Sequence, residues 1–259
     1  MRIAVTLAIA LIASCAYASS DSGYGLDVVV RDAARPEYGH EGTVYVEALR
    51  GENYELRITN PSPYRVAVAL SVDGLNTIDA HHTDSWTAAK WVLGPYESTS
   101  ISGWQVNGGS ARRFFFTGEK KSYGVALGQT KNLGVIEAVF YREHAPIAPQ
   151  FVPETSLQAP DAAPRSRDAA SKSAAGDAAA QAQAEAGLSD EYAGTGMGRR
   201  TRHEVQWVDL VLEPQPVATV RLRYEFRPQL VRLGVLPERS PLGRRERARG
   251  FASYCPEVN

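Results

Sequence analysis

Polar and apolar residues alternate along most of the first half of the chain. Tyr54, Leu56 and Ile58 alternate with charged or polar residues, and residues 64–72 follow the same pattern. Because successive strand side chains point to opposite faces, this period of two predicts strands with one buried face and one solvated face. Further strands, rich in β-branched and aromatic residues, are predicted at Val28–Val30, Thr43–Leu49, Phe114–Phe116 and Val135–Tyr141.

Turn-forming residues separate these predicted strands. Asn60–Pro63 breaks one strand from the next, and Asp73-Gly74, Asn107-Gly108 and Thr117-Gly118 mark further reversals. Residues 24–141 show no convincing helical period. Short strands joined by such turns predict an antiparallel β-sandwich or β-barrel, of which we favour the sandwich.

Several of these segments resemble parts of known bacterial sandwiches. Residues 57–61 and 66–76, which flank the Asn60–Pro63 turn, resemble the strand–turn–strand core of bacterial immunoglobulin-like sandwiches. The segments Gly103–Gln105, Arg113–Phe116, Ser122–Gly124 and Gly134–Phe140 resemble exported bacterial proteins with no established activity. The resemblance spans residues 45–141, with a weaker extension after residue 194. It implies an immunoglobulin-like β-sandwich in an exported protein, and it implies no functional residues.

Composition changes after residue 142. Residues 143–193 are rich in Ala and Pro and contain few large apolar side chains, so they are predicted to form a disordered insertion. Two strands are then predicted at His203–Leu212 and Val220–Phe226, joined as a hairpin by Glu213–Pro216. An isolated hairpin is rarely stable in water, so this hairpin is expected to complete the first sheet system.

Helical turns are predicted to start at Pro228, and a basic tail follows. The tail is interpreted as a solvated end, with contact to anionic lipid or polysaccharide as the alternative. The predicted organisation is therefore a signal peptide at 1–18, a sandwich domain at 24–142, an insertion at 143–193, a hairpin with a short helix at 194–236, and a tail at 237–259.

The first residues are typical of an export signal. Arg2 precedes the apolar stretch Ile3–Ala13, which is too short to span a membrane. Two processing sites compete: Ala16-Tyr17-Ala18, which leaves a soluble periplasmic or secreted protein, and a lipobox ending at Cys15, which leaves a membrane-anchored lipoprotein. Either way Cys255 has no internal partner, and a free thiol is the preferred interpretation.

Overall charge limits the classes of partner. The chain has 28 basic and 29 acidic residues and a net charge of -1, which argues against a protein whose whole surface binds nucleic acid or an anionic membrane. The two cysteines exclude a four-thiolate metal site. No cofactor is predicted, and the expected partner is an envelope protein or a polysaccharide.

Four aromatic residues lie close together in sequence: Trp86, Trp91, Tyr96 and Trp104. Exposed aromatic side chains stack on sugar rings and serve as hot spots in protein interfaces. Trp104, near Ile101, is expected in the core. Trp86, Trp91 and Tyr96 are therefore the candidate ligand-binding residues.

A weak metal candidate is the run His81-His82-Thr83-Asp84. Imidazole and carboxylate ligands suit zinc or copper. Adjacent residues of a strand point to opposite faces, however, and no third ligand has a recognisable spacing, so a polar loop is preferred. No catalytic motif is visible. The leading hypothesis is an exported, non-catalytic protein-binding or assembly module; the alternatives are a carbohydrate-binding module and a metal-dependent enzyme at His81, His82 and Asp84.

Overall fold

Two β-sheets face each other in the computed structural model, which describes residues 20–144 and 189–238. In chain order the strands are β1 (Ser20–Asp21), β2 (Tyr24–Val30), β3 (Ala33–Ala34), β4 (Glu37–His40), β5 (Thr43–Ala48), β6 (Asn53–Thr59), β7 (Val66–Val72), β8 (Leu75–Asn76), β9 (Trp91–Leu93), β10 (Ser98–Ile101), β11 (Gly103–Asn107), β12 (Ser110–Gly118), β13 (Val135–Glu143), β14 (Ala193–Arg202) and β15 (Leu212–Phe226). A 3₁₀ turn (Glu119–Lys121) and two short helices, α1 (Tyr123–Ala126) and α2 (Arg227–Arg232), complete the described elements.

The strand pairing confirms an all-β sandwich. The first sheet runs β1-β2-β6-β12-β11, with β3 on β2, β10 on β6 and β14 on β12. The second runs β4-β5-β15-β13-β7-β8, with β9 on β7. Every described pair is antiparallel except β5 with β15, which is parallel. The predicted purely antiparallel arrangement therefore has one exception, at β15, the second strand after the insertion.

The alternating residues form the core between the sheets. Tyr54, Leu56 and Ile58 of β6 are fully buried, as the period of two predicts. Trp104 is 1% exposed and packs edge-on against Phe114, which confirms its place in the core. Burial of these side chains supplies the main driving force for the fold, at about 25 cal/mol for each Å² of apolar surface.

The predicted hairpin after the insertion is wrong. Residues 203–211 form a loop rather than a strand, whereas the preceding glycine-rich segment is the strand β14. The predicted turn Glu213–Pro216 lies inside the long strand β15. Because β14 pairs with β12 and β15 pairs with β13 and β5, the two strands belong to different sheets.

The predicted helical turns at Pro228 are confirmed as α2. Within the described ranges, no helix is both long and apolar enough to cross a membrane. The predicted signal peptide, Cys15, Cys255, most of the insertion and nearly all of the basic tail lie outside the described residues.

A buried carboxyl group joins the two sheets. Asp73 lies in the β7–β8 turn with φ +53°, followed by Gly74 with φ +77°. A side chain on Gly74 would clash with Asn132, and its positive φ also favours glycine. The Asp73 carboxyl accepts hydrogen bonds from the backbone N–H groups of Gly134 (2.9 Å) and Thr195 (2.8 Å), and from the hydroxyl of Tyr224.

The hydrogen bonds continue from Tyr224 into the other sheet. The Thr195 hydroxyl lies 2.7 Å from the Tyr224 hydroxyl and 2.7 Å from the Tyr54 hydroxyl. All four residues are buried. The network thus connects β6 and β14 of the first sheet to β15 and the β7–β8 turn of the second.

Burial dominates the ionisation of this network. Loss of hydration raises the pKa of Asp73 to about 7, although the hydrogen bonds from Tyr224, Thr195 and Gly134 oppose the shift and Glu119 adds to it. Burial and the neighbouring Asp73 also raise the pKa of Tyr54 and of Tyr224 well above the usual value.

Stability is expected to fall as the pH rises from about 4 to about 7. In this range the unfolded chain has lost the Asp73 proton while the folded chain still holds it, so ionisation favours unfolding. The contribution is on the order of 4 kcal/mol between the two limits. Urea unfolding across this pH range, compared with the Asp73→Asn variant, measures it. A carboxyl titration of Asp73 below pH 5 by ¹³C NMR would contradict the prediction.

The two tyrosines should contribute unequally. The Tyr224 hydroxyl has two partners, Asp73 and Thr195, whereas the Tyr54 hydroxyl has one. We expect Tyr224→Phe to lower the free energy of unfolding by roughly 2–3 kcal/mol and Tyr54→Phe by about 1 kcal/mol, because unpaired buried polar groups are costly. Chemical denaturation of both variants tests the order, and equal losses would contradict it.

Candidate functional site

Residues 203–211 form a loop that carries the chain from β14 in the first sheet to β15 in the second. This crossing loop forms one wall of a groove. Residues of β9 and β10 lie on the other side of a cavity of about 490 Å³. Aromatic and aliphatic lining residues include Trp91, Val92, Trp207 and Val208, and the groove is therefore a continuous opening beside two short edge strands.

Gln105 holds the start of this loop. Its side-chain amide donates to the backbone carbonyl of His203 (3.0 Å) and its carbonyl oxygen lies 2.8 Å from the His203 Nδ1. Backbone N–H groups of His203 and Val205 donate to Gly109 and Gly108 at the tip of the β11–β12 hairpin. At the far end Val211 accepts from the backbone of His144 (2.8 Å). The loop is fixed at both ends, and its middle spans the groove.

The part of the groove near Gln105 is lined by aromatic rings. The Trp91 ring centre lies 5.5 Å from that of His203, and the Trp91 indole N–H donates to Thr77 (2.8 Å). Burial lowers the pKa of the His203 imidazole, and the charge of Glu55 partly offsets that effect. Burial therefore favours the neutral form of the His203 ring, which packs against Trp91.

A positive charge lies at another part of the groove. Lys90 lines it, and its ammonium group donates to the backbone carbonyls of Trp86 and Ala88. The ammonium lies 5.7 Å from the Trp86 ring centre and 5.2 Å from that of Tyr141. Partial burial lowers the pKa of Lys90, which Asp84 counteracts. No described carboxylate forms an ion pair with Lys90.

The three aromatic candidates do not form one surface. Trp91 lines the groove, whereas Trp86 is not one of its lining residues, although its ring centre lies 5.7 Å from the Lys90 ammonium. Tyr96 is 70% exposed in the turn between β9 and β10, outside the lining residues, and is more exposed than Trp86 at 45%. The most exposed tryptophan is Trp207, at 77%. The sequence analysis did not select Trp207 as a candidate, because residues 203–212 alternate like a strand and were predicted to form one.

The metal candidates have other partners. Asp84 accepts hydrogen bonds from the backbone of Trp86 and Thr87 and from the Thr87 hydroxyl, which lower its pKa. The His82 Nδ1 lies 2.8 Å from the carbonyl oxygen of Gly74, and the His81 Nδ1 lies 3.8 Å from an Asp79 carboxylate oxygen. Across residues 20–144 and 189–238, no group of three or more His, Cys, Asp or Glu residues is placed to hold a metal ion.

Comparison of the chain with protein-family models, with curated proteins and with solved structures finds no match. Its function must therefore be argued from its own surfaces.

Removing the Gln105 side chain should loosen the crossing loop. In Gln105→Ala the carbonyl and the ring of His203 lose their partners, while the β-sheets keep theirs. We expect amide hydrogen exchange at Val205, whose N–H donates to Gly108, to become roughly fivefold to tenfold faster, as expected from the loss of about 1 kcal/mol. Gln206→Ala, a change in an exposed residue of the same loop, is the control. Unchanged exchange in Gln105→Ala would show that the loop is held by other contacts.

Proposed function

We propose that this chain is an exported, non-catalytic envelope protein that binds an extended segment of another protein in the groove. The observation that carries the proposal is the exposure of Trp207 on the wall of an open cavity. Trp is among the residues most often found as hot spots in protein interfaces. Val208 and Val211 of the same loop are also more than half exposed. Exposed apolar side chains grouped in this way are removed from water only when a partner covers them.

The edge strands support an extended ligand. Among the described residues, β9 pairs only with β7, and β10 pairs only with β6. Each leaves one side of its backbone without a strand partner beside the groove. Edge strands of this kind bind peptides by adding a strand, and side-chain pockets then supply specificity.

The charge of the groove supports an acidic ligand. Two of the three hydrogens of the Lys90 ammonium are used by backbone carbonyls, so one donor is left for a ligand. Arg65 lines the same groove and pairs with Glu143. A carboxylate on the bound segment would pair with Lys90 where water is partly excluded, which strengthens the interaction.

The envelope location rests on the sequence. The export signal at residues 1–18 supports a periplasmic or secreted protein, and the lipobox ending at Cys15 supports a membrane-anchored form of it. A polysaccharide is the second candidate ligand. Two tryptophans, Trp91 and Trp207, share the groove with His203 and Gln206, a combination of ring faces and hydrogen-bonding groups that suits sugars.

Trp207 should be needed for binding but not for folding. A photoreactive amino acid replacing Gln206 in the full chain, in intact cells of the source organism, should cross-link to one segment of an envelope protein. We expect Trp207→Ala to reduce the yield at least tenfold. Its stability should stay within about 0.5 kcal/mol, because the side chain is exposed.

Tyr96→Ala provides the matched control, since it removes an equally exposed aromatic ring outside the groove. Its cross-linking yield should equal that of the unmodified chain. Equal yields from Trp207→Ala and the unmodified chain would overturn the proposal. A different result would assign the groove to carbohydrate: no protein cross-link forms, and Trp207→Ala loses the retention on a polysaccharide that the unmodified chain shows in affinity electrophoresis.

A further inference from the structure

A concentration of unpaired positive charge lies on two neighbouring strands. Arg112 of β12 and Arg200 of β14 are both exposed and lie directly opposite each other, so their side chains are on the same face of the sheet. We call this pair the arginine ladder. No described carboxylate forms an ion pair with either of them. The chain as a whole carries a net charge of -1, so this positive surface results from segregation of charge and not from an excess of basic residues.

Arginines elsewhere in the described residues commonly have acidic partners. Arg57 pairs with Asp27, and Arg221 pairs with Glu137 across neighbouring strands. In the ladder the corresponding cross-strand position holds a like charge, because Arg112 lies directly opposite Arg200. Like charges directly opposite each other destabilise a sheet. The fold therefore keeps an unfavourable pair on its surface.

Protection of a sheet edge does not account for this pair. Among the described residues β14 is an edge strand, and charged side chains on an edge prevent association with other strands. β12, however, has strand partners on both sides, so Arg112 serves no such purpose. An external anion would remove the repulsion, and a guanidinium pair is well suited to phosphate oxygens.

Exposed apolar residues lie at the end of the ladder. The β11–β12 hairpin tip, which carries the exposed Val106, is bonded to the start of the loop that carries Trp207 and Val208. Tryptophan and aliphatic side chains favour the interface of a bilayer, where arginines contact lipid phosphates. This combination favours a lipid surface over a nucleic acid or an acidic polysaccharide, neither of which takes up aliphatic side chains.

We propose that the arginine ladder, with the exposed Val106 of the β11–β12 hairpin beside it, docks the protein on an anionic phospholipid bilayer. Each arginine close to an anionic surface strengthens binding about fivefold, so removal of two should weaken it on the order of 30-fold. The attraction should also decrease with added salt, because the charges are exposed.

Vesicle flotation tests the proposal. The full chain, with Cys15→Ser so that lipidation does not contribute, is mixed with vesicles of phosphatidylcholine alone or with 30 mole per cent phosphatidylglycerol. We expect binding only to the anionic vesicles, weakened about 30-fold in the double variant Arg112→Gln and Arg200→Gln. The matched control is Arg221→Gln with Arg223→Gln, which removes the same charge from β15 and should bind normally.

The remaining outcomes overturn the proposal. Equal weakening in both double variants would show attraction by overall charge or by the basic tail, and no binding of the unmodified chain would exclude a lipid surface. Ladder-dependent binding to a soluble acidic polysaccharide or to double-stranded DNA, without vesicle binding, would assign the ladder to that polymer. None of these readouts involves the protein segment proposed for the groove, so the two proposals fail separately.

Discussion

The constraint on which the structure depends is the burial of one carboxyl group between two sheets. Asp73 cannot be solvated there, so every one of its hydrogen bonds must come from protein groups. Those donors are Gly134, which directly precedes β13, Thr195 of β14 and Tyr224 of β15, and the hydroxyl chain extends to Tyr54 on β6. A hydroxyl both donates and accepts hydrogen bonds. The hydroxyl groups can therefore donate toward an ionised Asp73 carboxylate, or reverse their direction when the carboxyl is protonated. The network therefore fixes the relative position of the two sheets in both ionisation states.

The groove is a consequence of how the chain returns after the insertion. Pairing with β12 places β14 in the first sheet, while β15 completes the second sheet between β5 and β13. The chain must therefore cross the opening between the sheets, and residues 203–211 are that crossing. Its backbone bonds to a hairpin tip of one sheet and to the end of β13 in the other. Between these two anchors Val205 and Leu210 are partly buried against the groove, whereas Trp207 is left exposed on its wall.

Sequence periodicity was sufficient for strands whose faces differ in polarity, such as β6, β7 and β13. It failed for β14, which reads as a flexible loop because glycines occupy positions where neighbours lie close to the strand. A side chain on Gly196 would collide with the ring of Phe115, and one on Gly194 with Ser122. It also failed for residues 203–212, because most of their apolar side chains line the groove instead of entering the core between the sheets. Asp73 was visible only as a turn residue, because its partners lie 61 to 151 positions away.

Strand β14 connects the three features. Its first residues are held by the Asp73 network, its later residues carry half of the arginine ladder, and its end leads into the groove wall. The positions of the arginine ladder and of the groove wall therefore both depend on the buried hydrogen bonds of Asp73. The network is most stable when Asp73 is protonated, because burial disfavours the charged form. A rise in pH toward 7 therefore lowers the stability of the fold that holds β14 in place. The surface charge and the stability of the fold that presents it are thus set by different groups.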